Sequence, residues 1–403
     1  MPKALVLYHY FHPDDVVSAL QYAGLCEGLT ERGWEVTVMP CNRGCRNESL
    51  CFSPRERWHE IAIRRVWRPP LRQASAFGRL VNLAWMLTAW SVSCVRPPNG
   101  LPDVVIVGTD PILSVLSASV WKRLRPRVKV AHWCFDLYPE AAIAEGLVKG
   151  RSPAARVART LVRWAYRRCD LIADIGPCMR KRLDAYCANA RRVTLTPWAL
   201  SEPIRPEESD PVERQTLFGS ASVGILYSGS FGLAHVCQSS LELARRLEGE
   251  GVRLAFSVRG NRAEALREDV ARAGVNAVFV PFASEERLPR RLAAADIHLV
   301  SLRPEYTGAV VPSKFFGALA AGRPVLFEGS HTSAISQWTS TYDVGWTLTP
   351  DSVSAIAGKL IGFVQNPMAL RALQERCHRV YHEQFSSKHV IDAWDSELRA
   401  LIT

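Results

Sequence analysis

The chain has 403 residues, 48% of them hydrophobic and 22% charged, which fits two globular domains with sizeable cores and excludes wholesale disorder. Its net charge of +11 is uneven, +13 over residues 1–200 and −2 over residues 201–403. A basic excess confined to one half points to an anionic partner there: a membrane surface, a lipid phosphate or nucleic acid. The N-terminus, Met-Pro-Lys-Ala-Leu-Val-Leu-Tyr, enters a strand without the basic, apolar and cleavage regions of a signal peptide, so a cytoplasmic chain is expected. The cysteines are scattered, without a Cys-x-x-Cys pair. Cys41, Cys45 and Cys51 cluster without a matching His or Cys group, so free thiols are expected and no metal site.

In chain order, Ala4–Tyr10 reads as a strand, Phe11-His-Pro-Asp-Asp15 as a loop, Val16–Arg32 as a helix and Trp34–Met39 as a second strand. This β-loop-α-β start predicts a parallel sheet with crossover helices. The loop lacks the Gly-x-Gly-x-x-Gly of a dinucleotide site but lies where open α/β sheets bind ligands. Residues 43–79 are rich in arginine (Arg55, Arg57, Arg64, Arg65, Arg68, Arg72, Arg79), interleaved with Trp58 and Trp67. Leu80–Val95 follows without a charge, too short and too polar for a membrane span. It reads either as a buried helix or as a helix at the bilayer interface, with arginines meeting anionic lipids. No nucleic-acid motif accompanies the arginines, and no nucleic-acid partner is expected. Asp103–Gly108 is a strand, and Thr109-Asp-Pro111 opens a helix capped by Asp110 or Thr109. Val128–Trp133 then runs into His132-Trp-Cys-Phe-Asp-Leu-Tyr-Pro-Glu140, which collects a His, an Asp and a Glu where a strand ends. Strands at Asp170–Asp174 and Arg192–Leu195 complete residues 1–196.

Prolines and acidic residues from Pro197 to Pro211 read as a linker, taken as residues 197–222. A second α/β series spans 223–380, and residues 381–403 are expected to pack back toward the first domain. Gly224–Tyr227 ends in the small-residue turn Ser228-Gly-Ser-Phe-Gly232, and Arg253–Val258 ends at Arg259-Gly-Asn261. Ala277–Val280 ends at Pro281-Phe282, a helix Glu285–Ala295 follows, and Asp296–Ser301 leads to Arg303. In a doubly wound sheet these strand ends converge on one crevice.

Val310-Val-Pro-Ser-Lys-Phe-Phe-Gly-Ala-Leu-Ala-Ala-Gly-Arg-Pro then reads as a helix starting at Pro312 with Ser313 as its cap, ended by Gly322 and Pro324. Lys314 is out of place in the first turn of a helix, where the dipole favours negative charge. A solvated surface lysine is the plain alternative; a bound phosphate would neutralise both lysine and helix terminus. Glycines for close approach, arginines and a lysine for charge, and an aromatic for a base together describe a nucleotide-diphosphate site.

The sequence resembles the GT-B glycosyltransferases of family 4, in the branch of colanic-acid and O-antigen type sugar transferases. The resemblance rests on Thr109-Asp-Pro111, Asp136-Leu-Tyr-Pro-Glu140, Tyr227-Ser-Gly-Ser-Phe-Gly-Leu-Ala-His235, Ala295-Asp296, and Val311-Pro-Ser-Lys314 with Leu319-Ala-Ala-Gly-Arg-Pro324. It implies two Rossmann-like doubly wound domains facing a central cleft, and a UDP- or GDP-sugar held mainly by the second domain. It also implies retention at the anomeric carbon and no required cofactor or metal. Lys314 would help neutralise the leaving diphosphate, and His132 would lie near the transferred sugar. Two departures stand out. The Glu that many members place in the helix at the phosphate site is Gly317 here. Since glycine costs about 1 kcal/mol in a helix relative to alanine, close packing or a bulky ligand is expected to require it. The family's glycine-rich loop after the first strand is replaced by Pro13-Asp-Asp-Val-Val17.

The expected activity is transfer of a hexosyl or N-acetylhexosaminyl group to a lipid-linked saccharide, by a peripheral protein at the inner face of the cell membrane. His132, Asp136, Glu140 and Lys314 are the catalytic candidates. Ser228, Gly229, Ser230, Gly232, Arg259, Gly260, Asn261, Phe282, Arg303, Val311, Pro312, Ser313 and Gly317 are the donor-binding candidates. His12, Asp14, Asp15 and Asp110 are candidates on the acceptor side. A sugar-nucleotide epimerase or hydrolase, or a non-catalytic nucleotide-sugar-binding component of a polysaccharide assembly, are the other readings.

Overall fold

Short Val-, Ile- and Leu-rich runs of the first half become the strands of one sheet. They are β1 (Lys3–Leu7), β2 (Glu35–Val38), β3 (Arg55–Trp58), β4 (Ile61–Arg64), β5 (Val104–Val107), β6 (Lys129–Trp133), β7 (Leu171–Asp174) and β8 (Arg191–Thr194). The computed structural model describes residues 1–186, 190–206, 208–284 and 286–403. By its contacts the chain divides into Met1–Thr196 with Val390–Thr403, and Pro197–His389.

In the first unit the strand order is β3-β4-β2-β1-β5-β6-β7-β8. Every pairing is parallel except the β3–β4 hairpin. β5 and β7 are buried along their whole length, as a parallel sheet covered on both faces requires. The order reverses between β1 and β5, which makes their carboxyl ends the ligand-binding position of this topology. The hairpin was not foreseen in the arginine-rich stretch. Its strands are short, and only Ile61 and Ile63 of β4 turn inward. The helix expected from Thr109 runs from Val115 to Leu124 instead: Leu113 takes a left-handed conformation (φ +63°) that a helix does not contain, and Asp110 pairs with His9. The last helix, Ser387–Ile402, brings Trp394 against Trp133 (5.4 Å between centroids) and Asp395 to the Trp34 indole N–H (2.6 Å).

The second unit holds β9 (Val223–Ser230), β10 (Val252–Arg259), β11 (Val278–Val280), β12 (Ile297–Ser301), β13 (Val325–Glu328) and β14 (Gly345–Leu348). All are parallel, in the order β11-β10-β9-β12-β13-β14. That is the doubly wound 3-2-1-4-5-6 arrangement, with its switch between β9 and β12. The segment read as a linker belongs to this unit and contains the helix Pro211–Phe218. Its start was legible: Asp210 accepts from the Val212 and Glu213 amides, and Pro211 fills the first turn. Glu285, expected to begin a helix, lies outside the described residues; the helix present there is Leu288–Ala294. A helix at Ala334–Tyr342 was also unforeseen.

The helix carrying Lys314 spans Lys314–Ala320, two residues later than expected, and Ser313 makes no side-chain cap. Arg323, 5% exposed, explains the end of this stretch. Its guanidinium donates to the carbonyls of Ala293 (2.6 Å), Ala295 (2.6 Å) and Ala321 (3.1 Å), at the C-termini of two helices, where a cation opposes the dipole charge. Gly322 takes the left-handed conformation (φ +73°) that ends such a helix. On β13, buried Glu328 caps the helix Gln238–Arg246 by accepting from the Ser239 amide (2.8 Å), the Ser240 amide (3.1 Å) and the Ser240 hydroxyl. Replacing Glu328 by Ala strands these buried donors and should destabilise the protein by about 2–3 kcal/mol in urea unfolding. A loss below about 0.5 kcal/mol, the level of an ordinary surface change, would mean the carboxylate is not needed.

Candidate active site

At the switch of the second unit, β9 continues in register with β10 through Ser230, so Ser228, Gly229 and Ser230 are strand residues rather than the expected turn. Gly229 has φ +136°, and a Cβ there would stand 2.3 Å from Lys314 Cε. Glycine is what lets the lysine lie across the strand end. Lys314 Nζ donates to the Ser230 carbonyl (3.2 Å), meets His235 Nε2 at 3.1 Å and lies 5.2 Å from the Tyr227 ring centroid. Among the described residues no carboxylate pairs with it. Burial pushes its ammonium down to about 8. Burial, and then the Lys314 charge, push His235 down to about 3. His235 is therefore a neutral imidazole whose Nε2 accepts from Lys314. Its Nδ1, which then carries the proton, is buried without a partner among the described residues.

Around this lysine the neighbouring strand ends supply the other expected groups. Arg259 lies 4.2 Å from the Phe282 ring centroid. Gly260 has φ +120°, and a Cβ there would stand 2.5 Å from the Phe231 carbonyl oxygen. That close approach seats the loop after β10 on the loop after β9, with the Phe231 amide donating to Arg259 (2.7 Å). Asn261 Oδ1 stands 3.3 Å from where a Cβ on Gly232 would be. The Arg303 amide donates to Ala234 (2.8 Å), and its side chain is exposed. Val311 is buried, Pro312 half-buried and Ser313 exposed. At Gly317 the expectation of close packing fails: a Cβ there would meet only Leu292 Cδ1, at 3.7 Å. Ser228 Oγ is buried without a partner among the described residues.

A second polar group lies at the switch of the first unit. His132 on β6 is 1% exposed and donates from Nδ1 to the Val107 carbonyl (3.0 Å). Its Nε2 has no partner among the described residues, and burial pushes the ring down to about 4. With Thr109, Asp136, Tyr138 and Tyr166 it lines one small pocket. Burial, then the nearby Asp110 charge, push the Asp136 carboxyl up to about 6. Asp110 pairs with His9 Nδ1 (3.2 Å). Burial disfavours a charge on His9, but Asp110 and Cys41 outweigh it and bring the ring up to about 9, so His9 is an imidazolium at neutral pH. His9 was missed because it sits within the apolar run Ala4–Tyr10; a histidine at the end of the first strand was the available signal. His235, quoted in a motif, was likewise not singled out.

The remaining candidates have local partners. Glu140 accepts from the Tyr186 hydroxyl and from Arg159 Nε (3.2 Å) and does not line the pocket of His132. Asp14 accepts from the Cys45 amide (2.8 Å), Asp15 pairs with Arg46 (2.6 Å), and the His12 ring stacks on Trp58 (4.6 Å). Among the described residues no three His, Cys, Asp or Glu side chains converge as metal ligands. A larger cavity lies under the helix Gln238–Arg246, beside Arg253 and Asn276, at the opposite end of β9 and β10 from Lys314.

Two doubly wound parallel sheets give the chain a GT-B type fold. Residues 19–199 match the family described as Glycosyl transferase 4-like domain. It is 26% identical over 263 residues to the probable glycosyltransferase WbjE of Pseudomonas aeruginosa, covering 63% of this chain and 64% of that protein. It is 25% identical over 302 residues to the putative colanic acid biosynthesis glycosyl transferase WcaI of Escherichia coli (strain K12), covering 72% of this chain and 74% of that one. The chain thus spans just under two thirds of WbjE. Among solved structures, a sucrose-phosphate synthase from Thermosynechococcus elongatus superposes with a TM-score of 0.73 at 15% identity, covering 100% of this chain and 99% of that one. Anabaena HepE in complex with UDP and glucose superposes with a TM-score of 0.66 at 13% identity, covering 99% and 100%.

The Lys314 pKa fixes the pH dependence of an anion at this site. Below about pH 8 the ammonium is charged and attracts a diphosphate; above it that attraction is lost. Calorimetric titration of UDP or GDP, whichever binds, should show affinity falling as pH rises through about 8 in the wild type. A Lys314→Met variant should bind more weakly with a flat profile. A wild-type profile equally flat would separate Lys314 from the anion.

Proposed function

We propose that the protein is a retaining glycosyltransferase that moves a hexosyl or N-acetylhexosaminyl group from a UDP- or GDP-sugar to a lipid-linked saccharide in cell-surface polysaccharide biosynthesis. The observation that carries this reading is Lys314: a partly desolvated ammonium without a carboxylate partner among the described residues, at the switch point of a dinucleotide-type sheet. The names of WbjE and WcaI, and the UDP and glucose bound by HepE, support the same reading.

As the bond from sugar to diphosphate breaks, charge accumulates on the leaving phosphate. Donors fixed in advance stabilise that charge more than they stabilise the ground state. Lys314 supplies a full positive charge, with Arg259 and Arg303 beside it. Phe282, already stacked under Arg259, offers an apolar face for the base. In the first unit, His132 Nε2 is an acceptor for a sugar hydroxyl, and Asp136 and the His9–Asp110 pair orient the acceptor. No metal is required in this scheme.

The acceptor assignment rests on the basic first half and on the helix Ala76–Val92. Its inner face buries Asn82, Met86 and Trp90, while Phe77, Leu80, Trp85 and Val92 are exposed beside exposed Arg72, Arg79 and Arg96. No helix among the described residues is long and apolar enough to cross a membrane. Apolar side chains flanked by arginines suit a peripheral position on an anionic leaflet, where each basic residue contributes about 1 kcal/mol.

Lys314→Ala should lower turnover by about 100-fold or more with the fold intact, measured with the nucleotide sugar that gives the largest thermal shift. Wild-type turnover in that variant would defeat the assignment. Flotation with anionic vesicles should carry the protein at low salt and release it at high salt. Failure to float at low salt would make a soluble acceptor the better reading.

A further inference from the structure

In the second unit the helix Pro367–Gln384 presents His378 and His382, one turn apart, to the carbonyl of Pro203. His378 Nε2 lies 2.8 Å from that oxygen and His382 Nε2 lies 3.0 Å from it, while the two nitrogens are 3.1 Å apart. Three polar atoms thus stand in mutual contact. If both nitrogens carry hydrogen, both donate to the carbonyl, which has lone pairs for two, but the two N–H dipoles then lie side by side at 3.1 Å. If either nitrogen is bare, its lone pair faces the carbonyl lone pairs. Hydrogen bonding therefore has one workable arrangement here, and it crowds two like dipoles together.

A cation resolves all three at once. Metal–ligand bonds of about 2.0–2.1 Å place neighbouring ligands about 3 Å apart at right angles and about 3.3–3.4 Å apart in a tetrahedron, so the spacing found here is close to that of a coordinated set. Two imidazoles with an oxygen suit a divalent ion of the zinc, nickel or cobalt type. The ligands are also held in place. Glu202, next to Pro203, accepts from the Tyr381 hydroxyl, the Ser387 amide (2.7 Å) and the Ser387 hydroxyl (2.5 Å), fixing the segment against the helix. His378 is buried and His382 half-buried, so the ion is reached from the His382 side. We propose that His378 Nε2, His382 Nε2 and the Pro203 carbonyl form a binding site for one divalent transition-metal ion, water completing its coordination. The ion joins the segment that opens the second unit to its longest helix. This site is separate from the glycosyl-transfer site and does not rest on that assignment.

The test uses the full chain without a histidine tag, stripped with a chelator and titrated with Co²⁺ and then Zn²⁺. The wild type should bind one Co²⁺ per chain with a visible absorption band, and Zn²⁺ should displace it and raise Tm by about 2–4 °C. His382→Gln, a half-exposed position where the volume is kept, should bind at least tenfold more weakly and lose the Tm shift. Wild-type protein that retains no Co²⁺ or Zn²⁺ at sub-millimolar concentration would overturn the proposal. So would a Co²⁺ band and Tm shift unchanged in His382→Gln, since the ion would then sit elsewhere.

Discussion

An ammonium partly withdrawn from water, with no carboxylate facing it among the described residues, calls for another negative charge to balance it. Lys314 is held in that condition by the geometry of the β9 end. The Ser230 carbonyl and a neutral His235 accept its protons, but neither carries a charge. A like charge placed on His235 would repel it, and burial prevents that. The helix beginning at Lys314 adds its own positive terminus beside the amine. Lysine and helix therefore ask for the same thing, an anion, and the exposed arginines after β10 and β12 add to the demand.

That position is not secured by the helix itself. Seven residues with a glycine in the middle make a poor isolated helix, far below the length at which propensity alone sustains one. It is kept by burial. Phe315 and Phe316 pack with Trp338 and Phe385 at centroid distances of 5.3–5.8 Å, and Arg323 ties the helix C-terminus to its neighbour. Part of the motif that carries the family resemblance is thus structural. Asp296 likewise accepts from Gly224 and Arg214 (2.7 Å each) at the amino ends of the strands, away from any chemistry. These groups fix the frame in which Gly229, Gly260 and Lys314 meet.

Most of the fold was legible because a parallel sheet announces itself. Its strands are short apolar runs, and its helices show a different period. The misses share a cause. The β3–β4 hairpin and the helices at Pro211–Phe218 and Ala334–Tyr342 are short, edge-placed or polar, and their stability comes from neighbours that the local sequence does not reveal. In the candidate site, residue types at strand ends singled out Arg259, Phe282 and His132, and Lys314 stood out at a helix start. Glu140 looked equivalent to Asp136 in the sequence, yet the fold gives it Arg159 and Tyr186. His9 was hidden because only its three-dimensional neighbour, Asp110, distinguishes it from the apolar run around it.

The two switch points differ in electrostatic character, and the difference has chemical consequences. In the second unit the charges are cationic and partly exposed, suited to a group that arrives as an anion and leaves with more negative charge. In the first unit the group is mixed: the buried His9 imidazolium against the half-exposed Asp110 carboxylate, with a neutral His132 and the Asp136 carboxyl, raised to about 6, nearby. Such a surface offers acceptors and donors for neutral hydroxyls. The net charge of the first half lies instead on arginines such as Arg72, Arg79 and Arg96, exposed beside the apolar face of the helix Ala76–Val92. The excess positive charge of this half therefore lies on its outer surface, apart from the polar pocket around His132.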